Sequence, residues 1–88
     1  MDILDEIQQR LEKFSDELNN GKRNIRKKYN ISREAESSII IIRGKKIVGG
    51  VYITKDKRLV YYPEFNGHKM PRKDKYKVRK IIERFISQ

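Results

Sequence analysis

Two apolar stripes of helical period stand at the ends of this chain and enclose a middle rich in β-branched residues. That arrangement restricts the fold more than any other feature. In residues 2–29, Leu4, Ile7, Leu11, Phe14, Leu18, Ile25 and Tyr29 fall within one stripe at 100° per residue, which predicts a single amphipathic N-terminal helix. Asp2, Asp5 and Glu6 lie in its first turns and Lys22, Arg23, Arg26, Lys27 and Lys28 in its last, so both ends complement the helix dipole. Asn20-Gly21 is a competing signal for a shorter helix, but the apolar phase continues across Gly21. Near the other end, Val78, Ile81, Ile82, Phe85 and Ile86 share one face of a helix predicted over 73–87, with Ile81 and Phe85 expected in the core.

The middle changes period. Residues 30–37 have no firm pattern and read as a connector. Ser38–Arg43, Lys46–Thr54 and Arg58–Tyr62 are strand-like runs, separated by turns at Gly44 and Lys55-Asp56-Lys57, with a bulge expected at Gly49-Gly50 and a stop at Pro63. Connections this short imply an antiparallel meander over 38–62, and residues 63–73 read as a loop. The prediction is an α+β fold of α-β-β-β-α order. A three-stranded antiparallel sheet receives the apolar stripes of both helices, in a single domain over 1–88.

Charge is as uneven as hydropathy. Residues 1–20 carry six acids and two bases, while residues 21–88 carry twenty bases and six acids. A surface so positive attracts polyanions, and phosphate backbones are the common ones. The sharpest constellation is Lys73, Lys77, Lys80 and Arg84, spaced 4, 3 and 4 on the last helix. They fall within about 60° of one another and make a row about 16 Å long, predicted to lie opposite the apolar face. Like charges in a row repel, and only Asp74 and Glu83 are near enough in sequence to relieve them, so the row suits phosphate contacts. Arg26, Lys27 and Lys28 form a second candidate cluster. Basic residues at the hairpin turns form a third, Arg43, Lys45 and Lys46 at one and Lys55, Lys57 and Arg58 at the other, expected to project from one end of the sheet. Tyr52, Tyr61 and Tyr62 lie in the strands. Tyr61 and Tyr62 must point to opposite faces, so one of them leaves the helix-covered side, where unpaired bases could stack on it.

Several chemistries are excluded. With no cysteine there is no disulfide and no thiolate zinc site, and the single histidine, His68, cannot build a zinc site alone. No P-loop, GxGxxG, Ser/His/Asp set or paired-carboxylate motif occurs, so no catalytic residue, cofactor or metal is expected. The longest apolar run, Ile39–Ile42, is too short for a bilayer, and the acidic start is wrong for a signal peptide. A cytoplasmic or intravirion setting follows.

The α-β-β-β-α order resembles that of double-stranded-RNA-binding domains, and Pro71–Lys77 is loosely similar to the lysine-rich start of their last helix. That resemblance would imply duplex RNA as the ligand. The turn at Arg43-Gly44-Lys45-Lys46 departs from that family's Gly-Pro-x-His pattern, and the last helix lacks its alanines. Val60 to Ile82 is faintly similar to the last strand, loop and helix of HicA-like ribonuclease toxins, which would imply a catalytic histidine early in the first strand; Ser37, Ser38 and Ile39 offer none.

The reading that results is a non-catalytic binder of RNA or DNA, acting on phosphates through the last helix and the basic turns. One alternative is a small phage-type regulator docking on an acidic protein surface. The heptad-like Leu4, Leu11, Leu18 and Ile25 would then make a seam with a partner or a second copy. A second alternative is a small ribonuclease using His68 as general base.

Overall fold

The computed structural model describes residues 2–18 and 28–86. The order is α1 (Ile3–Leu18), β1 (Asn30–Ala35), β2 (Ser38–Arg43), β3 (Lys46–Ile53), β4 (Leu59–Tyr62), β5 (Glu64–Phe65), β6 (His68–Lys69) and α2 (Arg72–Ile86). The α+β class is as the sequence predicts, with one strand more in the main sheet, which is antiparallel and ordered β1-β2-β3-β4. The added strand removes the α-β-β-β-α order on which the likeness to double-stranded-RNA-binding domains rested. Among the described residues no helix is long and apolar enough to cross a membrane.

The helix expected over 2–29 does not form as one piece. Ser15 Oγ donates to the Tyr29 carbonyl at 2.8 Å and accepts from the Tyr29 N–H at 3.3 Å. Fourteen residues of continuous helix would hold those positions about 21 Å apart. Lys28 and Tyr29 are non-helical and Asn30 already belongs to β1. Tyr29 still joins the core, its ring stacked on Phe14 at 6.1 Å between centroids. It therefore keeps its place in the apolar stripe while leaving the helix. The helix start is capped by Asp2, whose Oδ1 accepts the Asp5 N–H at 2.8 Å; that bond and then Arg33 hold the Asp2 carboxyl below its ordinary range.

β1 lies in the segment expected as a connector, and one of its inward positions is an arginine. Ile31 and Arg33 face the helices, and Arg33 reaches Asp5 at 2.7 Å, Asp2 at 3.1 Å and the Glu36 carbonyl at 2.6 Å. An arginine that finds two carboxylates occupies the place of an apolar residue, so no two-residue period is visible. The loop expected over 63–73 also holds structure. Phe65 pairs with His68 across Asn66-Gly67, which have φ of 50° and 79°, the conformation in which Asn-Gly closes a two-residue hairpin. His68 is thus a strand residue. The bulge falls next to the expected glycines: Ile41 pairs with Gly49 and Ile42 with Ile47, leaving Val48 as the extra residue.

Register sorts the sheet into two faces. Arg33, Ile39, Val51 and Tyr61 pair in a row under the helices, where Ile39, Ile41 and Val51 meet Leu4, Ile7, Leu11, Val78 and Ile82 in one core. On α2 the fully buried residues are Val78 and Ile82. Ile81 and Phe85, expected at the centre, are partly buried at its edge. Ser32, Ile40, Gly50 and Tyr62 form the row on the opposite face, with Ser38, Tyr52 and Val60 beside it.

Candidate nucleic-acid interface

α2 carries seven of the eighteen cations among the described residues. Its fifteen residues include Arg72, Lys73, Lys75, Lys77, Arg79, Lys80 and Arg84 against two acids, Asp74 and Glu83. Its apolar stripe turns Val78 and Ile82 inward, and Asp74 shares that face at 4% exposure. There the Tyr29 hydroxyl donates to Asp74 Oδ2 at 2.5 Å, and Lys28 Nζ lies 3.2 Å from the same oxygen. Burial works to raise the Asp74 carboxyl, but the Tyr29 and Lys28 contacts outweigh it and hold it below its ordinary range, with Arg43 adding to the effect. Burial, reinforced by the Asp74 carboxylate, pushes the Tyr29 hydroxyl well above its own. One of the two acids thus leaves the solvent face of α2. Asp74, adjacent to Lys73 in sequence, therefore does not relieve the lysine row on that face. Its i, i+4, i+8 spacing with Val78 and Ile82 was the signal that it would turn inward.

Lys73, Lys77, Lys80 and Arg84 are all exposed. They run along a flank of α2, not opposite its apolar face. Lys77 and Ile81 border a shallow hollow with Arg10, Lys13, Phe14 and Glu17 of α1, so the row faces the α1–α2 seam. The reason is the core's centre, which lies near 78 and 85 on the helical wheel and about 110° from the row. Glu83 lies 3.8 Å from Lys80, an exposed pair of little strength.

The basic turns are separated, not gathered. Lys45 and Lys46 stand at one end of β3 and Lys57 and Arg58 beyond the other, about 23 Å apart along an eight-residue strand. The expectation of a common end fails because consecutive hairpins of a meander alternate ends. Arg43 and the Lys57–Arg58 turn lie toward opposite ends of α2. Arg43, preceding Lys45 and Lys46, lies close enough to Asp74 in the first turn of α2 to lower its pKa, while Lys57 and Arg58 border a hollow with Phe85 and Ile86 in the last. Lys28 is committed to Asp74. Arg26 and Lys27 lie outside the described residues.

The tyrosines divide as their alternation requires. Tyr61 packs against the core, and burial pushes its hydroxyl up to about 12. Tyr62 lies on the open face with its ring tip over Gly50, where any Cβ would collide with it, and Tyr52 stands 5.9 Å away, centroid to centroid. Glu34 is near this face and, after burial and Tyr52, helps raise the Tyr62 hydroxyl above its ordinary range. The apolar stripe of α1 that could have formed a seam with a partner is used internally: Leu4, Ile7, Leu11 and Phe14 are core, and Leu18 packs against it. Ile25 lies outside the described residues. Among the described residues no three His, Asp or Glu side chains gather as a metal site. Comparison with family models, curated proteins and solved structures found no significant match.

Proposed function

We propose that the protein binds nucleic acid without cleaving it, through phosphate contacts along the solvent side of α2. The observation that carries this reading is the inward turn of Asp74, which leaves seven cations and the single carboxylate of Glu83 on the rest of that helix. Packing that many like charges on one helix costs stability through repulsion, and a polyanion removes that cost. Lys73, Lys77, Lys80 and Arg84 contact phosphates, and Lys45, Lys46, Lys57 and Arg58 extend the positive surface past either end of the helix. Lys28 contributes field more than contact, because Asp74 holds it. The ligand is RNA or DNA, met in the cytoplasm.

Salt titration of binding tests this. Four phosphate contacts give a log–log slope of about −3 to −4. Replacing Lys77 and Lys80 together by Gln lowers that slope by about 2 and weakens binding to every sequence alike. An unchanged slope in the folded double variant removes α2 from the interface. A tight complex with a protein and no nucleic-acid affinity would favour the regulator reading. Degradation of added RNA that His68→Ala abolishes would favour the ribonuclease.

A further inference from the structure

The lysine row occupies only one flank of α2. On the other flank Arg72, Lys75, Tyr76 and Arg79, spaced i, i+3, i+4 and i+7, line a hollow of their own with no carboxylate in its wall. Tyr76 is 60% exposed, more than any other large hydrophobic side chain described. Its fold contribution is slight: Lys80 Nζ stands 5.4 Å from the ring centroid, a contact that is weak in water. Tyrosine is also a poorer helix former than the lysines around it. Neither packing nor propensity accounts for an aromatic ring at the centre of a basic helix face.

We infer that the hollow formed by Arg72, Lys75, Tyr76 and Arg79 receives one unpaired nucleotide of a single-stranded nucleic acid, its base stacked on the Tyr76 ring and its phosphates held by the three cations. The inference rests on the nucleic-acid reading and adds to it the strandedness of the ligand. A flat aromatic base matches the ring, and the flanking phosphates match the charge. A paired base inside a duplex offers neither face, so the site discriminates between strand states. It is sequence-tolerant, since every base has a face to stack and no side chain is set to read its edge. A free nucleotide shares this chemistry, but it lacks the neighbouring phosphates that the row on the adjacent flank would engage.

Fluorescence anisotropy with labelled thymidylate strands of about 12 nucleotides tests the inference, beside an abasic strand of equal length, a matched duplex and thymidine 5′-phosphate as competitor. Tyr76→Ala is expected to weaken binding to the thymidylate strand about tenfold, with the salt slope unchanged. Tyr76→Phe retains wild-type affinity because the ring remains. The abasic strand binds Tyr76→Ala and wild type alike. Equal affinity of wild type and Tyr76→Ala for the thymidylate strand overturns the inference, as does loss with Tyr52→Ala instead, which would move stacking to the open sheet face. Equal wild-type affinity for duplex and single strand, or displacement by micromolar thymidine 5′-phosphate, overturns it too. In those cases a slope that still falls in the Lys77/Lys80 double variant leaves the phosphate-binding reading standing. Absence of binding to every probe defeats both.

Discussion

α1 and α2 are sixteen and fifteen residues long, lie over the same face of the sheet, and bury comparable apolar stripes in one core. They differ in what is left outside. The acids at the start of α1 meet cations: Asp2 caps the helix and pairs with Arg33, Asp5 pairs with Arg33, and Glu6 pairs with Arg10 at 3.3 Å. Of the two acids of α2, Asp74 is turned inward with Tyr29 and Lys28, which leaves Glu83, 3.8 Å from Lys80, as the one carboxylate on its outer side. Equal burial therefore goes with opposite surfaces, one with five acids against two bases and one with seven bases against two acids. The difference lies in charge, since both stripes are buried in the same core.

The strongest way to break the comparison is through its shared part. Leu11→Ala on α1 and Ile82→Ala on α2 both truncate fully buried side chains, and each is expected to cost about 2–5 kcal/mol, a large part of the stability of a domain this small. Phe85→Ala, at the partly buried edge, costs less than either. Urea denaturation reads all three, and a smaller loss for Ile82→Ala than for Phe85→Ala would mean that α2 is rotated about its axis.

The next effect tests the inward acid. Asp74→Asn is expected to cost about 1–3 kcal/mol at pH 7, since it removes the charge that Lys28 meets and weakens the acceptor for the Tyr29 hydroxyl. The sign of the pH dependence follows from the depressed pKa. The contribution is present above the ordinary value of 3.8 and is lost as pH falls below it toward the folded value. Wild type and variant should therefore converge in stability in acid. A gap that persists there would show that the carboxylate's charge is not what stabilises the site.

The smallest effect sharpens the contrast between surfaces. Charge reversal at Glu12 and Asp16, on the side of α1 away from α2, is expected to raise non-specific nucleic-acid affinity by less than about tenfold at low salt and to fade as salt screens it. A large gain that survives high salt would place α1 over the binding surface as an inhibitory element.

The α+β class, the three expected strands and the existence of both helices were legible because the helices carry a 3.6-residue stripe and the strands are β-branched or aromatic runs cut by Gly44, Lys55-Asp56-Lys57 and Pro63. β1 was not, since Arg33 occupies an inward position and only the carboxylates of α1 make that position tolerable. The β5–β6 hairpin was written locally, in Asn66-Gly67, but its strands are too short to show alternation. The lysine row was legible from spacing alone, whereas its direction was not. Nor was the hollow at Tyr76, because a single tyrosine among lysines has no period of its own to mark the face it occupies.

By itself the sequence determined the local quantities: which segments favour helix or strand, the phase of each apolar stripe, the total charge and its concentration toward the C-terminal side. Each follows from neighbours within a few residues. Only the tertiary structure decided that Lys28 and Tyr29 are non-helical, that Ser15 and Tyr29 meet, that Arg43 and the Lys57–Arg58 turn lie toward opposite ends of α2, and that Asp74 faces Tyr29 across 45 residues of chain. Those outcomes depend on which elements pack together. A carboxylate keeps its charge when buried only where partners distant in sequence arrive to meet it, and no local pattern records their arrival.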